Sequence, residues 1–270
     1  MPAAPATAPD ITGRFVWYEL MTTDVEKAAA FYTKALGWGL RNWEGPMDYR
    51  LWLRGDTPVG GLMALTDEMR ATGVPPSWLA YVGTADVDAT LTKATELGAK
   101  TLVPPMDVPG VGRMAVLADP QGAAFAIYKP AGPEQPDAEP QPLDFSWHEL
   151  ATTDEKAAFG FYSNLFGWEQ KEAMDMGELG TYRMFGRPGG RMYGGMFNIG
   201  TEMKMPPNWG LYVMVDDLEA ALERIKAGGG QVINGPMEVP GGDRIANCFD
   251  PQGAYFSVHV KGPAQAQGTA

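Results

Sequence analysis

The chain contains two copies of one sequence, and this internal repeat constrains its fold more than any other feature. Ten residues between Trp17 and Trp38 recur 130 positions later, between Trp147 and Trp168. Further matches follow at an offset of 131, ending with the DPQG sequence that starts at Asp119 and again at Asp250. Self-similarity at a fixed spacing indicates a duplicated folding unit. We therefore predict two domains, residues 13–130 and 144–261.

Between the copies, residues 131–143 read AGPEQPDAEPQPL. This segment is rich in proline and acid and shows no hydrophobic period, which is typical of a linker. Residues 262–270 show no pattern of a helix or a strand, and we predict a flexible tail there.

Each copy contains a weaker repeat of its own, so each domain is predicted to consist of two modules. The run RFVWYELMT at 14–22 is typical of a strand. Thr23 to Glu26 then fits a capping box, and apolar residues recur at helical spacing up to Gly37. The remaining strands of this module are predicted at 49–53 and 61–65, and the second module is predicted as a strand at 78–82, a helix at 87–97 and strands at 101–103, 113–117 and 123–128. The pattern indicates an α+β fold of four βαβββ modules.

Composition excludes several classes of function. The formal charge of −12 and a pI near 4.6 disfavour binding to phosphate backbones or anionic membranes, so we expect neither a nucleic-acid partner nor a membrane partner. The only cysteine, Cys248, excludes an intrachain disulfide and a cysteine-based metal site. Because the N-terminal segment has no apolar leader and no long apolar run occurs, a cytoplasmic location is expected.

A doubled βαβββ module that opens with strand–Asp–helix–FY–x4–GW and closes with DPQG resembles the vicinal oxygen chelate (VOC) superfamily. That superfamily includes glyoxalase I, extradiol dioxygenases and bleomycin-resistance proteins. The Trp-x-Glu-Leu openings at 17–20 and 147–150 are similar to its tandem glyoxalase-like subgroup. The resemblance covers nearly the whole chain and implies two tandem VOC domains with cup-shaped mixed sheets. It also implies that the halves pair as an internal pseudo-dimer, or that the chain forms a homodimer.

The resemblance further places the metal-ligand positions of this family. Metal-dependent members take one His, Gln or Glu from each of the first, fourth, fifth and eighth strands of a domain. Here these positions fall at Trp17 and Trp147, within 62–64 and 196–198, near Trp78 and Trp209, and at Ala126 and Ser257. Apart from Asn198 and Ser257 they are apolar, whereas divalent cations need oxygen or imidazole ligands. We therefore expect no cofactor, with a divalent metal ion at Glu149 and His259 as the alternative.

The tryptophans at these positions have two interpretations. They line the cups and bind a flat or apolar small molecule, or they fill the cups as core residues. Adding the repeated tyrosines and arginines, the ligand-binding candidates are Trp17, Trp78, Tyr81, Arg113, Trp147, Trp209, Tyr212 and Arg244.

Two repeated glutamates are the catalytic candidates. Glu19 and Glu149 follow Trp17 and Trp147 by two residues, so each shares a strand face with its tryptophan. A carboxylate inside a cavity must find partners or its pKa rises, and a raised pKa suits a general base. Three roles remain open for these glutamates: ion pairs with Arg113 and Arg244, substrate anchoring, and general-base catalysis. His148 is out of phase with Trp147 and is predicted at a surface or interface.

Three hypotheses about function follow. The first is a metal-independent protein that binds or sequesters a small organic ligand, of the glyoxalase/bleomycin-resistance type. The second is an enzyme, either a glyoxalase-like lyase or isomerase or an oxygenase-like enzyme, that uses a cavity Glu, with or without a divalent metal ion. The third is a structural module whose cups are filled by tryptophan.

Overall fold

The computed structural model of the chain describes residues 10–133 and 136–262. In the first repeat the elements are β1 Phe15–Thr22, α1 Val25–Leu36, β2 Gly39–Asn42, β3 Arg50–Arg54, β4 Thr57–Ala64, α2 Asp67–Ala71, β5 Ser77–Gly83, α3 Val87–Glu96, β6 Lys100–Val108, β7 Gly112–Ala118 and β8 Ala124–Pro130. In the second repeat they are β9 Phe145–Thr152, α4 Glu155–Phe166, β10 Glu169–Asp175, β11 Thr181–Gly186, β12 Met192–Asn198, β13 Asn208–Met214, α5 Leu218–Ala227, β14 Gln231–Glu238, β15 Arg244–Phe249 and β16 Tyr255–Val260, with a 3-10 turn at Gly177–Leu179.

Each repeat forms one mixed eight-stranded sheet from two βαβββ modules. The strand order is β2-β3-β4-β1-β5-β8-β7-β6 in the first sheet and β10-β11-β12-β9-β13-β16-β15-β14 in the second. The predicted α+β fold of four βαβββ modules is confirmed. The described residues between β8 and β9 contain no helix or strand, and the predicted tail lies outside the described residues after Gly262. Within the described residues, no helix has the length and apolar character needed to span a bilayer.

Aspartates start the long helices of all four modules. The carboxylate of Asp24 accepts the backbone N–H of Lys27 and caps α1, so the cap is Asp24 and not the Thr23 of the predicted capping box. The other three caps have the same geometry and are Asp86, Asp154 and Asp217. At the other end of α1, Gly37 adopts a left-handed conformation with φ of 92°, as predicted from its position. The sequence did not predict β2 and α2, which are short elements with weak patterns.

The chain divides into two compact units that differ from the two repeats. The first unit contains the described residues up to Val16 together with Ala80–Glu139 and Glu149–Trp209. The second contains Trp17–Leu79, Pro140–His148 and the described residues from Gly210 onward. Each unit therefore combines one module of the first repeat with one module of the second.

A chain of buried hydrogen bonds joins the two modules of the first unit. The indole Nε1–H of Trp209 donates to the hydroxyl of Tyr162 over 3.0 Å, and this hydroxyl donates to Oδ2 of Asp119 over 3.1 Å. The other oxygen, Oδ1, accepts three backbone N–H groups of the DPQG turn at 2.8–2.9 Å. Burial raises the pKa of Asp119, and it raises the pKa of Tyr162 well above its usual range.

The second unit repeats this chain with the equivalent residues. Trp78 donates to the hydroxyl of Tyr32 over 3.0 Å, and Tyr32 donates to Oδ2 of Asp250 over 3.2 Å. Oδ1 of Asp250 again accepts backbone N–H groups of its turn, and burial raises the pKa of this carboxyl. We call each arrangement a Trp–Tyr–Asp chain.

These contacts correct the prediction that Trp78 and Trp209 bind ligand. Both are almost fully buried, and each donates its N–H to a tyrosine on a helix. Side chains alternate along a strand, so residues three positions away, Tyr81 and Tyr212, project from the opposite face. Trp78 and Trp209 are therefore core residues on the helix-covered face.

In both units, one face of the sheet packs against helices and forms a core. In the first unit Leu117, Phe125 and Ile127 belong to a core that includes residues of α3 and α4. In the second unit the equivalent Phe256 contacts Phe31 and Tyr32 of α1. Residues that alternate with these project from the other side, which we call the helix-free face.

Removing the tyrosine hydroxyl should destabilise the protein. In Tyr162→Phe or Tyr32→Phe a buried indole N–H and a buried carboxylate each lose a partner, which costs about 1–3 kcal/mol. The free energy of unfolding in urea measures this loss. The control is Tyr128→Phe, because the half-buried Tyr128 hydroxyl donates only to the carbonyl of Val111. A loss no larger than that of the control would contradict a central role for the Trp–Tyr–Asp chains.

The raised pKa of Asp119 predicts a pH dependence of known sign. A carboxyl whose folded pKa exceeds its unfolded value contributes stability that is complete below the unfolded pKa and is lost as pH rises through the folded pKa. In Asp119→Asn this loss is absent. The unfolding free energy of the variant minus that of the wild type should therefore increase from about pH 4 upward and level off above the folded pKa. Urea unfolding at several pH values tests this, and a difference that stays constant with pH would contradict it.

Candidate functional site

The start of the first repeat carries an aromatic pair on the helix-free face. Trp17 is half-buried, and its Nε1–H donates to the hydroxyl of Tyr49 over 2.9 Å. A Cβ on Gly61 would lie 1.7 Å from that hydroxyl oxygen, so only glycine leaves room for the Tyr49 ring. Gly61 is the strand partner of Glu19, which places the buried Glu19 side chain on the same face. Trp17, Tyr49 and Glu19 therefore form one group in the second unit.

The second repeat has an equivalent tyrosine over an equivalent glycine. A Cβ on Gly195 would lie 2.2 Å from the ring of Tyr182, so the ring again covers a glycine. The Tyr182 hydroxyl donates to Oε1 of Glu149 over 2.8 Å, and Glu149 is half-buried. Trp147 is also half-buried and shares its side of β9 with Glu149. The phenol of Tyr182 thus positions a carboxylate.

Tyr49 and Tyr182 are not among the site residues predicted from the sequence. The signal that identifies them is the coincidence of a repeated Tyr-Arg pair with a repeated Gly-Gly pair on the next strand. The glycine provides the space that the tyrosine ring needs on the sheet surface.

A hydrogen-bonded polar cluster occupies the helix-free face of the last module. Nδ2 of Asn247 lies 2.8 Å from Oγ of Ser257, 2.9 Å from the hydroxyl of Tyr255 and 3.3 Å from the hydroxyl of Tyr212. Of these four residues only Tyr212 was predicted as a ligand-binding residue. Its equivalent in the first repeat, Tyr81, is buried and contacts the ring of Tyr128 edge to face at 6.1 Å between centroids.

The two predicted arginines bind other carboxylates than the glutamates proposed for them. Arg113 donates to Asp88 and to Asp107 over 2.8 Å each. Arg244 forms an ion pair with Glu219, also at a solvent-exposed site. The ion pairs predicted with Glu19 and Glu149 are therefore corrected, because each guanidinium lies against a carboxylate at the start of a helix in its own module.

The two histidines have structural partners. Nδ1 of His259 lies 2.9 Å from Oγ of Ser146, and its Nε2 lies 2.8 Å from Oδ2 of Asp243. His148 is buried, and its Nε2 lies 2.7 Å from the hydroxyl of Tyr18 in the first repeat, so of the two predicted locations it lies at an interface and not at the surface. These contacts explain both side chains without a ligand.

The donor atoms do not fit a divalent metal ion. Within residues 10–133 and 136–262, no three His, Cys, Asp or Glu side chains lie close enough together to hold a metal. Asn198, at a fourth-strand position, uses its amide oxygen to accept the N–H of Glu155 at the start of α4. Cys248 is buried, and desolvation raises the pKa of its thiol to about 12, so the thiolate that binds metals is disfavoured.

Comparison with known proteins identifies the family of this chain. The profile of the Glyoxalase/Bleomycin resistance protein/Dioxygenase superfamily matches residues 14–127 and 145–258. The chain is 32% identical over 262 residues to the putative glyoxylase CFP32 of Mycobacterium tuberculosis, which covers 92% of this chain and 95% of that protein. It is also 32% identical over 275 residues to the anthracycline biosynthesis protein DauV of Streptomyces sp. (strain C5), which covers 96% of this chain and 98% of that protein.

Solved structures agree with the fold at low sequence identity. A variant of homoprotocatechuate 2,3-dioxygenase from Brevibacterium fuscum aligns with a TM-score of 0.66 and 16% identity over 98% of this chain and 76% of the other. The Mn(II)-bound glyoxalase from Novosphingobium aromaticivorans aligns with a TM-score of 0.62 and 17% identity over 95% of this chain and 84% of the other. Because the profile matches both halves and relatives at 32% identity span almost the whole chain, the protein belongs to the Glyoxalase/Bleomycin resistance protein/Dioxygenase superfamily as a tandem member.

Proposed function

We propose that the protein binds a flat, largely apolar small molecule without a metal ion. The observation that carries this proposal is the half-buried Trp17, fixed by its hydrogen bond to Tyr49, at the position where metal-dependent members of the family have a ligand. An indole ring cannot coordinate a divalent cation, but it provides a flat apolar surface.

The fixed geometry of this pair favours binding of a ring system. Because the Trp17 N–H donates to the Tyr49 hydroxyl oxygen, the indole is held in one orientation before a ligand arrives. A side chain that is already ordered loses less entropy on binding, and aromatic rings stack well in offset or edge-to-face arrangements. Trp147 offers a second half-buried indole at the equivalent position of the second repeat.

The relatives suggest a chemical class for the ligand. DauV and DnrV, from two Streptomyces sources, are both named as anthracycline biosynthesis proteins. An anthracycline has a flat system of fused rings with hydroxyl and carbonyl groups at its edge. This chemistry matches an aromatic surface with a few polar groups, and we therefore propose fused-ring polyphenols or quinones as ligands.

Calorimetric titration with an anthracycline in the presence of EDTA tests the proposal. We expect saturable binding whose Kd is unchanged when Mn²⁺ replaces the chelator. Trp17→Ala and Trp147→Ala should each be measured. Replacing the tryptophan that contacts the ligand should weaken binding roughly 30-fold, the effect expected for loss of a buried aromatic anchor. Phe159→Ala is the control, because it removes a ring that packs on the core of the first unit and lies on helix α4. Binding that occurs only with Mn²⁺ would contradict metal independence.

One observation supports an enzyme as the second candidate. The Tyr182 hydroxyl donates to the half-buried carboxylate of Glu149, which is a fitting arrangement for a positioned general base. Such a base removes a proton from a carbon next to a carbonyl group, which is the step that a glyoxalase-like lyase or isomerase requires. CFP32 is named as a putative glyoxylase, which is consistent with this candidate.

The substitution Glu149→Gln tests the enzyme candidate. If Glu149 is the base, turnover of the adduct of a 2-oxoaldehyde with a thiol should fall by about 10²–10⁴-fold while the melting temperature changes little. Absorbance of the thioester product reports turnover. Glu172→Gln is the matched control, since Glu172 is exposed on the edge strand β10. Equal turnover in Glu149→Gln and wild type would exclude Glu149 as the base.

A further inference from the structure

Four polar side chains form a row across four neighbouring strands of the second unit. The strand register pairs Tyr212 with Ser257, Ser257 with Asn247, and Asn247 with Asn234. Paired residues project from the same face of a sheet. Because the alternating neighbours of Ser257 and Asn247 are buried core residues, this face is the helix-free one. We call these four residues the polar row.

Hydrogen bonds connect the polar row from end to end. Oδ1 of Asn247 accepts from Nδ2 of Asn234 over 3.3 Å, and Nδ2 of Asn247 reaches the hydroxyls of Ser257 and Tyr212. With Tyr255, three hydroxyl oxygens lie within 3.3 Å of this amide nitrogen, which has only two hydrogens. The network can therefore exchange an internal hydrogen bond for one to a ligand.

Solvent reaches the polar row from one end. Asn234 is exposed, Asn247 is 9% exposed, and Ser257 is fully buried. A ligand edge that approaches past Asn234 meets Asn247 before the deeper hydroxyls. Asn247 is thus the residue at which a ligand would first exchange hydrogen bonds.

The first repeat has the same register without the polar groups. Tyr81 pairs with Ala126, Ala126 with Val116, and Val116 with Val103. Only the tyrosine is common to both rows, and the positions of Ser257, Asn247 and Asn234 are apolar. The two repeats therefore share the backbone register of this row. Apart from the tyrosine, its side chains are polar and hydrogen-bonded in the second repeat and apolar in the first.

All four residues of the polar row are neutral. The charged side chains in and directly beside β15 are already partnered: Arg244 binds Glu219, Asp243 contacts His259, and Asp250 accepts from Tyr32. A ligand carboxylate or ammonium group would find no opposite charge in the row and would pay for its desolvation. A neutral hydroxyl or carbonyl group, which needs only hydrogen-bond donors and acceptors, fits.

From this asymmetry we infer that the two units differ in specificity: the polar row of the second unit selects a neutral hydroxyl or carbonyl group of the ligand, with Asn247 as the specificity-determining residue, and the equivalent row of the first unit makes no such selection. This inference rests on the proposed binding function and adds to it which unit distinguishes polar from apolar ligands.

Two probes of the same shape test the inference, a dihydroxynaphthalene and naphthalene itself. Equilibrium dialysis against the full-length protein gives a Kd for each. We expect the wild type to prefer the diol by about tenfold, the effect of one net hydrogen bond. Asn247→Val and Ser257→Ala, which reduce the polarity of the row toward that of the first repeat, should each lower this preference toward onefold. Val116→Ala, at the equivalent position of the first repeat, should keep the wild-type preference.

The outcomes separate this inference from the proposed function. If the wild type binds neither probe, the binding function fails and the inference fails with it. If it binds both, but Asn247→Val and Ser257→Ala retain the wild-type preference, the inference alone is overturned. A change of preference in Val116→Ala would also overturn it. Melting curves identify any variant that does not fold, and the other substitution in the polar row then decides the result.

Discussion

The Trp–Tyr–Asp chains are the constraint on which the rest of the structure depends. In the first unit, one buried carboxylate, Asp119, connects the DPQG turn to Tyr162 on a helix of the other repeat and through it to Trp209. A buried carboxyl group is tolerated only when its hydrogen bonds are satisfied, and here three backbone N–H groups and a phenol satisfy it. The sequence signatures FY, Trp and DPQG recur together because they form one network.

This network also explains why the two faces of each sheet vary differently. On the helix-covered face, a change in any member of a Trp–Tyr–Asp chain leaves a buried polar group without a partner. The helix-free face differs between the units: the position of Val116 in the first unit carries Asn247 in the second, where Ser257 and Tyr212 supply partners for the amide. The helix-covered face therefore has the same hydrogen-bonded packing in both units, while the helix-free face carries an apolar row in one unit and a hydrogen-bonded row in the other.

The sequence predicted the modules well because their signals are local. Hydrophobic periodicity, the aspartate caps and Gly37 act within one helix or turn, and the repeat supplied each signal twice. The site was harder to predict because a strand position displaced by one residue changes its face. Placing the fifth-strand ligand position near Trp78 therefore put a core indole into the predicted cup. The partners of Arg113 come from α3 and β6, and no sequence pattern specifies which carboxylate a surface arginine will reach.

The polar groups on the helix-free faces are the groups that can orient a ligand where the family's usual metal-ligand side chains are replaced. A metal ion supplies a concentrated charge that orients and polarises a bound oxygen. At the positions of Trp17 and Trp147 an indole provides no ligand for a metal ion, and the proposed binding function relies there on aromatic contact and hydrogen bonds. In the first unit, the row that begins at Tyr81 continues with Ala126 and Val116, whose side chains are apolar. In the second unit, the equivalent row contains Ser257 and Asn247, whose side chains are hydrogen-bonded to each other. Chemical selection of a neutral polar group is therefore expected in the second unit, where the polar row lies, while the equivalent row of the first unit contributes an apolar surface.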